Sequence, residues 1–384
     1  MIIGLAWGAM RLRRGLGGFV AALAGAALTA GGIVSLAVSG SAAAPHARLA
    51  AAASQLPDFG NPNGHAAVPP AGGPVSTSHP NHVIGNGTPA SCTSAAVVKA
   101  VAAGGVITFN CGPSPVTITL TATAKVRNTS HQIVLDGGGL VTLSGGGVRR
   151  ILYMNTCDPK QRITTSDCFN QRWPQLIVQN MTFTGGNSTA RQTNGNFGGA
   201  SGGGAIFDSG GQLKVVNSRF TGNRCFRTGP DLGGAAIRAL AQWRNRPVYI
   251  TSDTFRGGRC SNGGALSSIG VSWVVLNSVM TGNQAIGFGA NPARAGTPGG
   301  GSGGAIYTDG DRYSLKVEGT VITGNHAREG GGAIFFVSDD NTGTLTIGSS
   351  TLHNNPSAGF GTPGFPGIFF HSSGHPRVTG STIN

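Results

Sequence analysis

The chain contains 384 residues, of which 66 are glycine and 20 are proline, and only 10% are charged. This composition excludes a helical bundle, because glycine disfavours helix interiors and supplies tight turns. The valine, isoleucine, threonine and phenylalanine residues between the glycines favour many short strands. A formal net charge of +14 indicates an anionic partner, although arginine enrichment in a chain rich in alanine and glycine gives the same excess without a partner.

The first 44 residues predict an export signal. Arg11, Arg13 and Arg14 precede an uncharged run of small and apolar residues at 15–44, with candidate cleavage sites around 42–47. The alternative is an uncleaved membrane anchor, because the run exceeds the roughly 20 residues that cross a bilayer. A twin-arginine export route also stays open. Removing the segment leaves 24 basic residues against 13 acidic ones, a net charge of +11.

Residues 45–90 consist largely of alanine, proline, glycine, histidine and serine, without periodicity. This composition is typical of a flexible linker, and we predict a disordered spacer. The residue pattern changes at Cys92. Apolar residues at Ala95, Val98 and Val101 indicate a short amphipathic helix over 94–103. A glycine pair then ends the helix, and a first strand follows. We expect the helix to cap the open end of a repeat array.

Two sequence units repeat along the rest of the chain. The first is a Gly-Gly-Ala-Ile strand opener, which occurs at 203–206, 303–306 and 331–334, with variants at 234–237 and 263–266. The second has an apolar leader and a turn, as in FTGN, and its leaders lie at 183, 220, 255, 280, 322, 352 and 383. Successive leaders are 25 to 42 residues apart, and the shortest step is about one turn of a β-helix. The sequence therefore predicts an all-β protein, a right-handed parallel β-helix over residues 91–384.

Three asparagines follow the Thr-Gly of the second unit, at Asn223, Asn283 and Asn325. We expect them to be structural, because stacked side-chain amides can hydrogen-bond along the axis. Extra length follows the second unit at 185–202, 225–233 and 285–303. These loops should protrude from one side of the molecule.

The six cysteines predict three disulfides in an oxidising compartment. Cys225 and Cys260 occupy the same repeat position one turn apart, within bonding range if the turns stack at about 4.8 Å. Cys157 would then pair with Cys168 across a short loop. Cys92 and Cys111 would tie the capping helix to the first strand.

The stretch from 92 to 384 resembles bacterial exported β-helix proteins of the polymorphic outer-membrane-protein-like repeat group, within the pectate-lyase-like superfamily. The resemblance depends on the GGAI and FTGN units, the SAAVVKAVAAGGVITFNCG opening and LDGGGLVTLSGG. It implies the fold, and it implies a role as adhesin, surface protein or polysaccharide enzyme, because fold alone does not fix function. Unlike many such relatives, the chain shows no C-terminal translocation barrel after the last repeat, which indicates either a truncated chain or a covered last turn.

Candidate catalytic residues are carboxylates on neighbouring turns, because a pair about 5 to 9.5 Å apart can hydrolyse a glycosidic bond. The weak candidates are Asp309, Asp311, Asp339, Asp340 and His375. Alignment of the GGAI openers places Asp311 and Asp339 beyond the strands, where a turn carboxylate is the simpler interpretation. No metal-binding or cofactor motif occurs, so we expect neither a metal nor a cofactor.

A basic stretch at 219–259 forms the candidate binding site. Its candidates are Arg219, Arg224, Arg238, Trp243, Arg244, Arg246, Arg256 and Arg259. Arginine recognises carboxylate or sulfate groups and tryptophan stacks on sugars, so a groove for an anionic polymer is one interpretation. The alternative is that Trp243 packs over a turn and the arginines only solvate an exposed face.

The sequence alone therefore favours a secreted or cell-surface β-helix that binds glycan or another anionic polymer without catalysis. A polysaccharide lyase or glycoside hydrolase is the first alternative, and a structural protein that self-associates through its last turn is the second. Specific nucleic-acid binding is not expected, because no nucleic-acid-binding motif is present. Membrane contact is expected only through an uncleaved N-terminal segment.

Overall fold

A computed structural model describes residues 59–189 and 201–384 of the chain. The predicted signal or anchor at 1–44 and the first part of the spacer, 45–58, lie outside the described residues. None of the helices in the described ranges is long and apolar enough to cross a membrane.

The chain coils into a right-handed parallel β-helix with three long sheets and one short one, and neighbouring strands within each sheet are parallel. Sheet A has ten strands: His82–Ile84, Gly105–Phe109, Gln132–Asp136, Gln175–Gln179, Gln212–Val216, Val248–Thr251, Trp273–Leu276, Ser314–Glu318, Thr344–Gly348 and Arg377–Thr379. Sheet B has nine: Val116–Thr119, Val141–Ser144, Thr182–Thr184, Arg219–Thr221, Thr254–Arg256, Val279–Thr281, Val321–Thr323, Thr351–His353 and Thr382–Ile383.

Sheet C has eight strands: Ala124–Lys125, Leu152–Asn155, Ile206–Ser209, Ile237–Ala239, Leu266–Ile269, Ile306–Asp309, Ile334–Val337 and Ile368–His371. The short sheet D comprises Arg259–Cys260, Gln284–Ala285 and His326–Ala327. The 3-10 helices are Pro70–Gly72, Pro89–Ser91, Pro159–Gln161, Cys168–Asn170 and Trp243–Asn245.

The predicted repeat register is confirmed. The apolar leaders stack in one column of sheet B. Phe183, Phe220, Phe255, Met280, Ile322 and Leu352 are buried, and Ile383 at the last turn is partly buried. Phe220 stacks on Phe255 with ring centroids 4.9 Å apart. The GGAI openers stack in the same way in sheet C, where Ile206 pairs with Ile237. Each step between leaders is therefore a single turn, and the longer steps contain loop insertions.

The predicted structural role of the asparagines is also confirmed. Asn325 donates its side-chain amide to Asn355 Oδ1 at 2.9 Å, and Asn325 Oδ1 accepts from Asn283 Nδ2 at 2.8 Å. Asn223 Oδ1 accepts from the backbone of Gly186 at 2.8 Å. These side chains satisfy backbone and amide groups that would otherwise be buried without partners at the turn after sheet B.

One α-helix, Ser94–Ala103, lies at the first turn, as predicted. Thr93 caps it by accepting from the backbone of Ala96 at 3.2 Å. The side chains that face the core are Val97, Ala100 and Val101. Of the apolar residues that indicated the helix, Val101 is therefore buried, Val98 is half-buried and Ala95 is exposed. The helix packs on the first strands of sheets A and C and thereby covers apolar side chains that the first turn would expose.

The three disulfides join the predicted partners. The Cα atoms of Cys225 and Cys260 lie 4.7 Å apart on adjacent turns. Cys157–Cys168 closes its loop, and Cys92–Cys111 fastens the start of the capping helix to the residues just after Gly105–Phe109, the second strand of sheet A. All six cysteines are bonded, which indicates an oxidising environment.

The prediction of a disordered spacer is wrong for residues 59–90. His82–Ile84 forms the first strand of sheet A, so the β-helix begins before residue 91. Residues 59–81, here called the strap, run back along the outside of the helix. The strap is held by hydrogen bonds to its backbone, for example from Asn277 Nδ2 to the Ala66 carbonyl at 2.9 Å and from Gln179 Nε2 to the Val75 carbonyl at 3.0 Å. Side chains that are distant in the sequence therefore supply the order of the strap.

Candidate functional site

The structure forms an open cleft of about 710 Å³ at the ends of three sheet C strands. Its lining residues are Asp231, Asn245, Ile269, Gly270, Asn291, Pro292, Asp309, Gly310, Asp311, Arg312, Val337 and Asp339. Four of these are carboxylates and one is an arginine, so we call it the acidic cleft. The loops at 225–233 and 286–302 form one wall, and the turns after the sheet C strands form the other.

Asp309 lies at the end of its strand and is only 7% exposed. Its Oδ2 accepts from the Tyr307 hydroxyl at 2.8 Å and from Asn291 Nδ2, and its Oδ1 accepts from the Gly310 backbone at 2.9 Å. Burial raises the pKa of Asp309 to about 6, and the negative charges of Asp339 and Asp231 contribute in the same direction. Asp309 is therefore a carboxyl group that can hold a proton in mildly acidic water.

Asn291 joins Asp309 to Asp231. Its side-chain nitrogen donates to Asp231 Oδ1 at 2.7 Å as well as to Asp309, and it lies 2.8 Å from the Tyr307 hydroxyl. Because each such bond is about 3 Å long, the two carboxylate oxygens are at most about 6 Å apart, with the amide between them. Burial raises the pKa of Asp231 as well.

Arg238 lies under the loops and is only 4% exposed. Its guanidinium donates to Ser267 Oγ at 2.8 Å and to the backbone carbonyl of Asp231. Burial lowers its pKa to about 10. Arg238 therefore fixes the loop that carries Asp231 and is not available to a polymer at the surface.

The rim of the acidic cleft carries Asp311, Arg312 and Asp339, all of them exposed. The Asp339 backbone donates to the Gly310 carbonyl at 2.9 Å, which places this turn beside the strand end that carries Asp309. Both rim carboxylates lie in turns beyond the strands, as the alignment of the openers predicts.

The two other candidate residues lie outside the lining of the cleft. Asp340 accepts from Thr342 and Ser338, and the bonds to Thr342 lower its pKa, so it stabilises a turn. His375 is exposed near the last turn, with its ring 6.4 Å from that of Phe365.

The structure distributes the candidate binding residues over separate places. Arg219 and Arg256 lie on sheet B, where Arg219 stands over the Phe59 ring, and Arg224 and Arg259 line a second cleft of about 450 Å³. Trp243, Arg244 and Arg246 lie together in and after the 3-10 helix that leads into sheet A. Arg238 is buried apart from these groups.

Sequence reasoning missed Asp231, Asn291 and Tyr307 as members of the site. Asp231 and Asn291 belong to insertions of unequal length, so no repeat position relates them to Asp309. The sequence feature that could have located Asp231 and Asn291 is the set of insertions, which are predicted to protrude on one side of the molecule. Within the described residues, no group of three or more histidine, cysteine, aspartate or glutamate side chains is arranged to hold a metal ion.

Compared with known proteins, the chain matches no protein-family model, no curated protein and no solved structure. Its class therefore follows from the structure alone. The fold and the bridges define a disulfide-braced parallel β-helix with an acidic cleft on the face of sheet C.

Proposed function

We propose that this protein is an exported glycoside hydrolase that acts on a neutral polysaccharide in the acidic cleft. One observation carries the proposal: a nearly buried carboxyl group, Asp309, lies in an open cleft beside other carboxylates on the next turn and an adjacent loop. Glycosidases need one protonated and one ionised carboxyl group flanking the scissile bond. The resemblance of the sequence to the pectate-lyase-like superfamily and the predicted export signal agree with a polysaccharide outside the cell.

Asp309 is assigned as the general acid. It donates its proton to the glycosidic oxygen as the bond from that oxygen to the anomeric carbon breaks. Its pKa of about 6 is suited to this role, because the proton is present in mildly acidic water and can still leave. Activity should therefore fall as pH rises above about 6, where Asp309 loses the proton.

Asp339 is assigned as the second carboxylate, which takes a proton from the attacking water. Asp231 is close enough to Asp309, but the Asn291 amide occupies the space between their facing oxygens and leaves no room there for an anomeric carbon. The charge of Asp231 instead raises the pKa of Asp309. Asp231 and Asn291 are thus positioning residues. The carboxylates that surround Asp309 in the cleft, Asp231, Asp311 and Asp339, would repel uronate polymers, which favours a neutral substrate.

Binding without cleavage, the function that the sequence alone favours, is the rival proposal, and one experiment separates the two. Purified protein is incubated with a panel of neutral and acidic polysaccharides, and both new reducing ends and retained polymer are measured at about pH 5 and pH 7. The variants are Asp309→Asn, Asp339→Asn and, as a matched control at an exposed turn outside the cleft lining, Asp340→Asn.

The proposal predicts cleavage of a neutral polymer that falls by at least about 100-fold in the first two variants and is unchanged in the control. Retention of polymer without new reducing ends would establish binding without cleavage. Products that absorb in the ultraviolet as unsaturated sugars would identify a lyase instead. Equal loss of activity in the control would refute the assigned roles.

A further inference from the structure

A second surface lies at the corner where sheet C turns into sheet A. Its residues are Arg172, Trp173, Trp243, Arg244 and Arg246, which we call the arginine–tryptophan ridge. The Arg172 guanidinium stands 4.4 Å from the Trp173 ring centroid and 5.5 Å from that of Trp243. Arg246 and Arg244 stand 4.7 and 5.1 Å from the Trp243 ring. His131 stacks on Trp173 at 4.9 Å and extends the ridge by one turn.

A pair of glycines allows the two tryptophans to share Arg172. Gly210 and Gly211 lie on the turn between Trp173 and Trp243. The register of sheet A places these glycines at the level of Trp173 and Pro174. A Cβ at Gly211 would lie 2.4 Å from the Pro174 carbonyl oxygen, and both glycines have positive φ. The intermediate turn therefore contributes no side chain, and aromatic groups two turns apart are bridged by one guanidinium.

A disulfide and hydrogen bonds anchor the backbone of the ridge. The Cys157–Cys168 disulfide closes the loop before Arg172, and Asn170, two residues after Cys168, accepts from the Arg244 backbone at 2.8 Å. Gln212 Nε2 donates to the Arg172 carbonyl at 3.0 Å, and the Trp243 backbone donates to the Gly211 carbonyl at 2.8 Å. A backbone that is already fixed loses little entropy on binding, so more of the strength of the contacts made here would contribute to affinity.

Within the described residues, no ion pair neutralises the charges of the ridge. Arg172, Arg244 and Arg246 are exposed, and neither ion pair found in residues 59–189 and 201–384 includes them. A guanidinium stacked on an aromatic ring still presents its N–H edge to solvent, in a plane that matches a carboxylate or sulfate. The ring faces carry cations and a histidine, so neutral sugar rings have little aromatic surface to stack on.

An open cleft of about 370 Å³ continues from the ridge onto sheet A. Gln132, Gln175 and Gln212 line it on three successive turns, and Arg246 and Lys214 lie in the same lining. Amides repeated at about 4.8 Å along the axis offer donors and acceptors for the hydroxyl groups of an extended glycan. Asn245, the neighbour of Arg246, lines the acidic cleft, so the same short turn separates the two sites.

From this arrangement we propose that the ridge and the glutamine-lined cleft bind an anionic polysaccharide, through its carboxylate or sulfate groups, at a site distinct from the acidic cleft. The site goes beyond the proposed hydrolysis, since it would hold the protein on an acidic glycan while the cleft acts on a neutral one. It retains Trp243, Arg244 and Arg246 from the sequence-based candidates and adds Arg172, Trp173 and His131.

The test is equilibrium binding of purified protein to polygalacturonate, dextran sulfate and neutral dextran at physiological salt. The ridge variant is Arg172→Gln with Arg246→Gln. The matched control is Arg224→Gln with Arg259→Gln, which removes the same charge from the 450 Å³ cleft that these two arginines line. A second ridge variant, with lysine at both positions, keeps the charge and removes the planar fork. Circular dichroism checks that each variant folds.

We expect the wild type to bind at least one polyanion and not dextran, and the ridge glutamine variant to bind at least about 10-fold more weakly. The lysine variant should also weaken, whereas the control should change less than about 2-fold. Equal weakening of ridge and control variants, or no binding by the wild type, would overturn the proposal. Equally tight, ridge-dependent binding of duplex DNA would overturn it too. Asp309→Asn should bind as the wild type does, so failure of the hydrolase proposal leaves this result unaffected.

Discussion

Replacing Asp253 with serine is expected to stabilise the protein at neutral pH. Asp253 occupies the corner between sheets A and B, where five other turns carry a hydroxyl residue: Ser218, Ser278, Thr320, Ser350 and Ser381. Each hydroxyl accepts from the backbone of the preceding turn at 3.0–3.5 Å and donates to a carbonyl two residues earlier at 2.7–3.1 Å. The Asp253 carboxylate accepts from the Ser218 backbone at 2.6 Å, but its Oδ2 has no partner and is fully buried.

The expected gain follows from that unpaired oxygen. A buried polar group without a partner costs about 1–3 kcal/mol. Serine keeps the acceptor for the Ser218 backbone and adds a donor to the Thr251 carbonyl, as on the other turns. The smaller side chain leaves a void that costs about 1 kcal/mol. The net expectation is a stabilisation of up to about 2 kcal/mol at pH 7.

The gain should depend on pH in a known direction. Burial raises the pKa of Asp253 well above its usual value, so the folded protein holds this proton where the unfolded chain has lost it. The stability contributed by this group is therefore fully present below about pH 4 and is lost as pH rises toward the folded pKa. Serine does not titrate. The advantage of Asp253→Ser should be small near pH 4 and should grow toward neutral pH.

Unfolding in urea, followed by circular dichroism at about pH 4 and pH 7, measures this difference. The control is Asp311→Ser, which removes an exposed carboxylate and should shift stability by less than about 0.5 kcal/mol. An Asp253→Ser variant that is less stable than the wild type at pH 7, or whose advantage does not grow with pH, would refute the argument.

Three further perturbations test the fold. Asn277→Ala should release the strap, because it removes both side-chain bonds to Ala66, and limited proteolysis should then cut within 59–81 while the β-sheet circular dichroism signal persists. Replacing the Cys225–Cys260 pair with serine should cost about 3–4 kcal/mol without abolishing secondary structure, and free thiols at both positions in oxidised wild-type protein would contradict the bond. Asn325→Ala should cost about 3 kcal/mol in thermal or urea unfolding, since its amide pairs with both neighbouring asparagines; an unchanged midpoint would show that the ladder is dispensable.

The stacking of the turns could be predicted because each turn repeats the same physical requirement. Phe183, Phe220 and Phe255 must point inward at one height, and the turn that follows must satisfy its buried backbone with an amide. Both requirements, an inward apolar side chain and a satisfied turn backbone, recur along the β-helix and leave a repeat in the sequence. The pairing of Cys225 with Cys260 followed from the same register.

The strap could not be predicted, because its order depends on residues far away in the sequence. Its proline and glycine content is typical of a flexible linker. What holds it are single side chains such as Asn277 and Gln179, which in sequence look like ordinary members of repeats. Composition describes what a segment can do by itself and carries no information about a surface that the segment meets later in the chain.

The position of the acidic cleft depends on which segments of each turn repeat and which segments vary in length. Four of the sheet B strands are followed by a structural asparagine that fixes the turn, at Asn223, Asn283, Asn325 and Asn355. Between sheets A and B the hydroxyl ladder fixes the corner, so an insertion at either place would break bonds to a neighbouring turn. The short sheet D follows these asparagines, and the insertions at 225–233 and 286–302 collect after it, beside sheet C. They contact each other through the Gly229 amide and the Gly299 carbonyl at 3.0 Å, and Asn291 reaches from one loop to the strand end that carries Asp309. The ladders therefore stabilise the fold and also confine chemical variation to one face, which is where the carboxylates meet.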